Sequence, residues 1–268
     1  MAVIHKNDEI ADGIFLMEVE LDDEDTGKPE PGQFYMVRGW DRYPLLSRPI
    51  SVFDYEELPC VSPDGSTEGA PVTRVLSFLY QVVGEGTELL AELSEGSDVT
   101  VEGPFGNTFP EVENRLTLVG GGIGIAPLYY LAKSYRRDHR DRSLKIYLGF
   151  AEESYAVALF EEVANSVTVD VGGFITDRMD VSGYSDQDTV VTCGPAPMMN
   201  AVMAKIPAQT KTFVSLEARM ACGVGACLGC VKEAPLRWKM TDEGLVTDGS
   251  VHVKVCSDGP VFEREVVE

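Results

Sequence analysis

The chain has 268 residues, of which 44% are hydrophobic and 25% charged, and its formal net charge at pH 7 is −22. This length allows two or three domains with cores of their own. The acidic excess would repel nucleic-acid phosphates, and no apolar run is long enough to cross a membrane, so neither is an expected partner. The first residues lack a signal-peptide pattern, which favours a cytoplasmic location.

The first hundred residues predict mainly β structure. Short apolar or alternating runs at 13–21, 33–38, 72–83 and 98–102 are bounded by Gly, Pro or Asp, as strands of a sandwich or barrel are. One helix is predicted at 86–93, with Thr87 near its start and apolar residues spaced for one buried face.

Two polar sites in this region, the segment 48–51 and Thr87, suit a phosphate-bearing ligand. Arg48 and Ser51 lie on either side of Pro49, which makes the backbone between them stiff. A guanidinium matches phosphate oxygens with its planar fork, and the Thr87 hydroxyl could contact the same kind of anion. A flavin nucleotide would use both positions, although an exposed Arg-Pro turn would have the same sequence.

From about residue 115 the pattern changes to alternating strands and helices. Predicted strands at 116–119, 144–150, 167–171 and 189–193 alternate with helices near 128–136 and 160–164, which indicates a parallel α/β sheet. Glycine-rich turns follow the first and last of these strands. Ligands of such sheets bind outside the carboxyl ends of the strands, so we expect a dinucleotide cleft there. Its candidate residues are Gly121, Gly122, Cys193 and Gly194.

The turn after the second of these strands bears on the choice of dinucleotide. Glu152 and Glu153 stand there without an arginine. Carboxylates accept hydrogen bonds from a ribose 2′-hydroxyl and repel a 2′-phosphate, which favours NAD over NADP. Two exposed glutamates at the start of a helix would have the same sequence.

Four cysteines near the C-terminus predict a metal centre. Cys222, Cys227 and Cys230 have the spacing C-x4-C-x2-C in a glycine-rich loop, and Cys256 follows after a stretch long enough for a small hairpin. This is the spacing of plant-type [2Fe–2S] sites. Structural zinc is the rival, but it usually takes two separate C-x2-C pairs and only one is present. The chain has three histidines, none beside a cysteine of the loop, so a Rieske centre is not expected.

These motifs together resemble the electron-transfer subunits of class B dihydroorotate dehydrogenase, a branch of the ferredoxin–NADP reductase superfamily. The resemblance runs from one end of the chain to the other. It rests on the sequences PGQF at 31–34, RPIS at 48–51, GPFGNTF at 103–109, GGGIGIAPL at 120–128, CGP at 193–195, EARMACGVGACLGC at 217–230 and VCSDGPVF at 255–262.

The resemblance implies a multi-domain α+β chain with three parts: an antiparallel FAD-binding β-barrel at 1–104, a parallel-sheet NAD domain at 105–210 and a small [2Fe–2S] domain at 211–268. Carried over by position, it assigns FAD contacts to Arg48, Pro49, Ile50, Ser51, Leu79, Tyr80, Gln81, Gly86 and Thr87. It assigns the cluster to Cys222, Cys227, Cys230 and Cys256.

The same resemblance implies a partner. Electrons would pass from an FMN-containing catalytic subunit, through the cluster and FAD, to NAD in pyrimidine biosynthesis, within a heterotetramer of two copies of each subunit. No catalytic residue for dihydroorotate is expected in this chain. The superfamily's usual flavin motif has a tyrosine where Ile50 stands, so aromatic stacking from that position is not expected.

Two cysteines fall outside the metal motif. Cys60 is interpreted as an incidental thiol. Cys193 stands where the superfamily has a cysteine near the nicotinamide, and a structural role is favoured for it.

Two rival functions are retained. One is a related reductase subunit that exchanges electrons between NAD(P)H and a ferredoxin, sulfur or hydrogenase partner. The other is a zinc-bearing nucleotide-binding regulatory module.

Overall fold

The structure is a computed structural model that describes residues 2–21, 27–59, 72–233, 238–241, 244–247 and 252–267. Cys60 lies outside these ranges, so its interpretation as an incidental thiol stays untested. Among the helices of the described residues, none combines the length and the apolar character needed to span a membrane.

The N-terminal part folds into seven antiparallel strands in the spatial order β4-β3-β7-β1-β2-β6-β5. Only two residues separate β4 from β5, yet these strands lie at opposite ends of that order, so the sheet must curve round on itself as a barrel. The predicted helix is present as α1, between β6 and β7. The elements are β1 (Ala2–Ala11), β2 (Ile14–Leu21), β3 (Phe34–Arg38), β4 (Arg48–Ser51), β5 (Asp54–Pro59), β6 (Val72–Gln81), α1 (Glu85–Ala91) and β7 (Asp98–Phe105).

The sequence patterns did not predict β1, β4 or β5, and residues 48–51, where an exposed Arg-Pro turn was the alternative to a flavin contact, form strand β4. Strand β1 carries charged and polar residues over half its length, and most of its outward positions are exposed, so its apolar alternation is short. Strand β4 contains Pro49, which cannot donate to a ladder; it is tolerated because β4 is the edge of the seven-strand order.

The second part is a sheet with helices packed on it. Five strands run parallel in the order β10-β9-β8-β11-β12. Their side chains are mostly buried, and β11 is buried at all six positions, as a sheet covered on both faces requires. A short 3₁₀ helix, Gly122–Ile125, joins the first strand to its helix. The elements are β8 (Arg115–Gly121), α2 (Ala126–Asp138), β9 (Leu144–Phe150), α3 (Val157–Val163), β10 (Ser166–Val171), α4 (Ile175–Arg178), β11 (Asp188–Cys193), α5 (Ala196–Lys205) and β12 (Lys211–Ser215).

The C-terminal part consists of small ladders and returns to the second sheet. Strand β13 pairs with β16, and β14 pairs with β15 in the hairpin expected between the third and fourth cysteines. The last strand, β17, pairs antiparallel with β12 and so becomes the sixth strand of the second sheet. The elements are β13 (Val231–Glu233), β14 (Trp238–Thr241), β15 (Gly244–Thr247), β16 (His252–Lys254), β17 (Val261–Glu263) and α6 (Arg264–Val267).

The predicted domain limits, 104/105 and 210/211, therefore remain predictions about functional regions. The second sheet itself continues past residue 210 through β12 and takes up β17 from the C-terminal part. The segment between these two strands, residues 216–260, is called the cluster segment below.

Specific contacts fix the three parts against one another. Lys133 Nζ on α2 lies 2.6 Å from both Asp54 Oδ2 and Glu56 Oε1 on β5. The Asn107 side chain, just after the barrel, donates to Val261 O at 2.8 Å and accepts from Val261 N at 2.9 Å. The two bonds resemble one step of a strand ladder, and they join the end of the barrel to the first residue of β17, directly after the cluster segment.

Candidate functional site

The main cavity of the described residues lies where the three parts meet and has a volume of about 910 Å³. One wall comes from β4 and from the end of β6 with the start of α1. A second wall comes from Ile123, within the glycine run, and from Ala126 and Pro127, just after it. A third wall comes from residues 216–220 with Lys232. The cavity is thus bounded by all three predicted regions at once.

The barrel wall contains most of the predicted flavin contacts. Eight of the nine line the cavity: Arg48, Pro49, Ile50, Ser51, Leu79, Tyr80, Gln81 and Thr87. The ninth, Gly86, lies against Arg48: a Cβ atom there would be 2.5 Å from Arg48 Nη2. Sequence positions 48–51 and 79–87 are therefore brought together as the resemblance implies.

Not all of these side chains offer polar groups to the cavity. Ile50, Leu79 and Tyr80 are buried, and the Tyr80 hydroxyl donates to Asn7 Oδ1 at 3.1 Å while its ring stacks on Phe15. They shape the wall, whereas the polar side chains of Arg48, Ser51 and Gln81 are partly or fully exposed.

Thr87 has a different use from the anion contact that the sequence suggested. Its Oγ1 accepts hydrogen bonds from Val83 N at 2.9 Å and Gly84 N at 3.2 Å, and donates to Gly84 O at 2.8 Å. Through these three bonds the hydroxyl stabilises the turn that leads into α1. The Thr87 hydroxyl therefore positions the wall, and a contact between it and a ligand stays a prediction.

The two glycine turns of the second sheet are packed directly on each other. A Cβ on Gly124 would lie 2.5 Å from Gly194 Cα, and one on Gly194 would lie 2.9 Å from Gly121 N. Gly122 differs, because it has φ +54° and faces open space. Gly121 and Gly194 thus let the turns approach, and Gly122 is the glycine presented outward.

Cys193 is the last residue of β11 and is completely buried. Burial raises the pKa of its thiol far above the ordinary value, and the nearby Glu217 carboxylate raises it further. The thiol is therefore protonated at neutral pH and is a poor nucleophile.

The carboxylates predicted to select NAD are not equivalent. Glu153 Oε1 accepts a hydrogen bond of 2.9 Å from Asp12 N, in the turn between β1 and β2. One oxygen of Glu153 is thus used to hold the barrel against the second sheet. Glu152 is exposed, and the NAD preference now depends chiefly on it.

Glu217 lines the cavity and was missed as a candidate by the sequence reasoning, which had used it only as part of a family motif. Its side chain is accessible from the cavity, yet the surrounding walls desolvate it and raise its pKa, while Lys232 acts in the opposite direction. The sequence does place Glu217 two residues after β12, whose last residue, Ser215, pairs with Cys193, and this position could have indicated that Glu217 is near the dinucleotide turns.

The four predicted cluster ligands form two pairs. Cys230 Sγ and Cys256 Sγ are 3.1 Å apart and buried. Cys222 Sγ accepts from Cys227 N at 3.4 Å, and both of these residues are more accessible. Among the described residues, no group of three His, Cys, Asp or Glu side chains is close enough to hold one metal ion. Two thiol pairs correspond to a cluster with two irons, each taking two thiolates, better than to one tetrahedral zinc ion.

Backbone N–H groups of the glycine-rich loop point at the sulfur atoms. Gly225 N donates to Cys256 Sγ at 3.0 Å and Gly229 N to Cys227 Sγ at 3.4 Å. Donation by Val224 N, and then by Cys227 N, lowers the pKa of Cys222 to about 6. Such donors stabilise anionic sulfur, so the loop suits a thiolate-ligated cluster.

Comparison with known proteins agrees with this geometry. A model of the iron–sulfur cluster binding domain of dihydroorotate dehydrogenase B matches residues 217–268. The electron transfer subunit of dihydroorotate dehydrogenase B (NAD(+)) from Clostridium acetobutylicum is 33% identical over 97% of this chain and 93% of its own length. The one from Caldanaerobacter subterraneus subsp. tengcongensis is 38% identical over 90% and 87%.

This chain belongs to that family of electron transfer subunits. The sequence-based assignment is thereby confirmed, as is the role of an oxidoreductase component. The word subunit in the family name implies a catalytic partner.

Solved structures support the fold. The structure of an NADH-dependent reduced ferredoxin–NADP oxidoreductase, described in connection with flavin-based electron bifurcation, superposes with a TM-score of 0.75 and 26% identity. It covers 100% of this chain and 90% of that one. A cytochrome P450 reductase from Amycolatopsis superposes with a TM-score of 0.59 at 21% identity, over 76% and 64% of the two chains. The predicted class, a barrel, a parallel-sheet domain and a C-terminal iron–sulfur domain, is confirmed.

Proposed function

We propose that this chain carries FAD, NAD and a [2Fe–2S] cluster and passes electrons between the FMN-containing catalytic subunit of a dihydroorotate dehydrogenase and NAD. The observation that carries the proposal is the cavity bounded by the barrel wall, the turn after β8 and the cluster segment. A flavin bound there would adjoin both a dinucleotide cleft and the thiol pairs.

The chemistry is supplied by the bound groups, since a flavin exchanges either two electrons with a nicotinamide or one with an iron–sulfur cluster. The residues of the chain hold and separate these groups. Arg48 and Ser51 are assigned to the flavin nucleotide, together with Pro49, Ile50, Leu79, Tyr80, Gln81, Gly86 and Thr87. Gly121, Gly122, Cys193 and Gly194 are assigned to the dinucleotide turns.

The cluster is assigned to Cys222, Cys227, Cys230 and Cys256. The functional division follows the predicted limits: the flavin part at 1–104, the dinucleotide part at 105–210 and the cluster part at 211–268. Free thiols as metal ligands require a reducing compartment, which supports a cytoplasmic location.

The cluster loop also supports a docking position for the catalytic subunit. Val224 and Leu228 are 57% and 63% exposed, and they flank Cys227 in the sequence. Large apolar side chains in this position favour contact with a partner surface. We assign the loop to the interface with the FMN subunit, in a complex of two copies of each.

The test is a reconstitution. The chain is purified anaerobically, and NAD-dependent oxidation of dihydroorotate is measured with and without a candidate FMN subunit. We expect turnover only with both subunits, and a visible spectrum with flavin and iron–sulfur bands from this chain alone. A colourless protein with stoichiometric zinc would contradict the proposal. A coloured protein that reduces a ferredoxin but is inert with the FMN subunit would favour the related reductase function instead.

A further inference from the structure

Arg48 lines the cavity and has no carboxylate partner among the described residues, although the chain is strongly acidic. None of the ion pairs within the described residues includes it. A partly exposed arginine usually samples many rotamers, and ordering a side chain of this length costs conformational entropy. A site that must bind phosphate tightly benefits if this ordering is complete before the ligand arrives.

Three neutral groups order the Arg48 side chain. Its guanidinium lies 5.4 Å from the ring centroid of Trp40, and its Nη1 donates to Leu46 O. On another side it packs against Gly86, where a Cβ would be 2.5 Å from Nη2. An aromatic face attracts a cation without neutralising its charge, unlike an aspartate or glutamate. The positive charge therefore stays available to an anion.

Trp40 is itself fixed by its surroundings. Its indole N–H donates to Pro44 O, which also accepts from Arg38 Nη2 at 3.0 Å. Arg38 Nη2 donates to Leu45 O at 2.7 Å as well, so the loop that follows β3 is tied back on itself. The ring that faces Arg48 thus belongs to a braced loop and not to a freely rotating side chain.

We propose that Trp40 is a positioning residue for the flavin nucleotide: it holds the Arg48 guanidinium, by its ring face, ready for the diphosphate. The inference rests on the proposed function, since it takes FAD as the ligand of the cavity. It goes beyond the family assignment because Trp40 itself is given no contact with the flavin.

A positioning role for Trp40 predicts different effects on the binding of FAD and on the binding of riboflavin, a flavin without phosphate. Losing the ring should release Arg48 and weaken FAD binding, whereas riboflavin, which has no phosphate, should bind as before. In a protein that lacks the Arg48 guanidinium, replacing Trp40 should not weaken FAD binding any further. A double-mutant cycle measures this dependence directly.

Apo-protein of the full chain is titrated with FAD and with riboflavin, and dissociation constants are obtained from flavin fluorescence at several salt concentrations. We expect W40L to weaken FAD binding about tenfold, which corresponds to about 1.4 kcal/mol, and to leave the riboflavin constant within about twofold. W40F keeps an aromatic face and should restore most of the FAD affinity. W40L combined with R48Q should bind FAD no more weakly than R48Q alone.

G86A provides a second route that leaves Trp40 intact and applies if W40L does not fold. Its methyl group displaces the guanidinium from the opposite side, so it too should weaken FAD and spare riboflavin. Additive effects of W40L and R48Q, or equal losses for FAD and riboflavin, would overturn the positioning role. Tight FAD binding that no Trp40 variant alters would overturn the inference and leave the proposed function standing, whereas a wild-type chain that binds no FAD would overturn both.

Discussion

The second sheet and the cluster segment are neighbours, but they are stabilised in different ways. All six residues of β11 and six of the seven in β8 are buried, so apolar burial dominates the sheet. Among the described residues of the cluster segment, the buried apolar group is small: Val255, Cys230 and Cys256 pack on Phe34 and Met36 of the barrel. The sheet has a core of its own, whereas the cluster segment depends on a neighbour and, in our proposal, on bound metal.

The cluster segment should therefore respond most strongly to loss of iron. The second sheet should respond most strongly to loss of buried methyl groups.

Replacing Cys256 by Ser should abolish cluster binding, because the hydroxyl is a poor substitute for a thiolate. Bound iron should fall below about one-tenth of the wild-type content, and transfer from the catalytic subunit to NAD should be lost. Hydrogen exchange should speed up in the cluster segment and not in β8 or β11. Ser257→Ala, next in the chain and exposed, is the matched control. Full iron content in C256S would contradict the assignment.

Truncating Leu118 to Ala should lower the free energy of unfolding of the sheet by about 3 kcal/mol, since the side chain is completely buried in β8. Urea unfolding followed by far-UV circular dichroism measures the change. Val171→Ala, at a half-exposed position of β10, should cost less than about 0.5 kcal/mol. Equal losses at the two positions would mean that apolar burial does not dominate the sheet.

Replacing Asn107 by Ala should weaken the attachment of β17, where the cluster segment rejoins the second sheet, to the end of the barrel by about 2 kcal/mol, because two hydrogen bonds to Val261 disappear. The expected signature is faster exchange of the Val261 amide hydrogen, measured by NMR or mass spectrometry, with little change in β9. An unaltered exchange rate at Val261 would show that β17 is held by its pairing with β12 alone.

Changing Leu228 to Asp should weaken binding of the catalytic subunit about tenfold, or about 1.4 kcal/mol, if the cluster loop docks there. Analytical ultracentrifugation or interferometry with the partner measures this. Leu58→Asp, a similarly accessible leucine on β5, serves as the control and should leave the affinity unchanged. Equal weakening by both variants would indicate a nonspecific effect of charge.

The smallest effect is expected at Cys193. Because its pKa is raised, the folded chain keeps the thiol protonated well above the pH at which an unfolded cysteine ionises, about 8.5. Iodoacetamide should therefore leave Cys193 unmodified between pH 7 and 9 and label it rapidly in urea, as mass spectrometry would show. For the same reason its contribution to stability decreases as the pH rises above about 8.5. Rapid labelling of the native protein would contradict the burial.

Much of this architecture could be predicted because several of its sequence patterns are complete within a few consecutive residues. The strands near 144–150 and 189–193 are short, mostly apolar runs, and the spacing of Cys222, Cys227 and Cys230 by itself indicates the type of metal centre. Strand β1 was missed because charged and polar residues fill its middle, from His5 to Glu9, and interrupt the apolar alternation, although its main partner, β2, follows directly in the chain. The domain limits and the roles assigned to individual site residues still stand as predictions.

Other features depend on tertiary contacts that no local pattern contains. Thr87 has the residue type of an anion contact, yet its hydroxyl is engaged by Val83 and Gly84. Glu153 was expected at a ribose, and one of its oxygens instead accepts from Asp12, 141 residues away. The approach of Trp40 to Arg48 across the turn between two strands was equally invisible in the sequence.

The pairing of β17 with β12 has a mechanical consequence. The cluster segment leaves the second sheet after Ser215, at the end of β12, and rejoins it at Val261, the first residue of β17, which pairs with Ser215. Both ends of the segment are therefore anchored side by side in the same sheet. It cannot swing out on a single tether, as a terminal domain could. In the proposed complex, electron passage between the thiol-bound irons and the flavin cavity would then be independent of solvent viscosity and of dilution, because neither group has to search for the other.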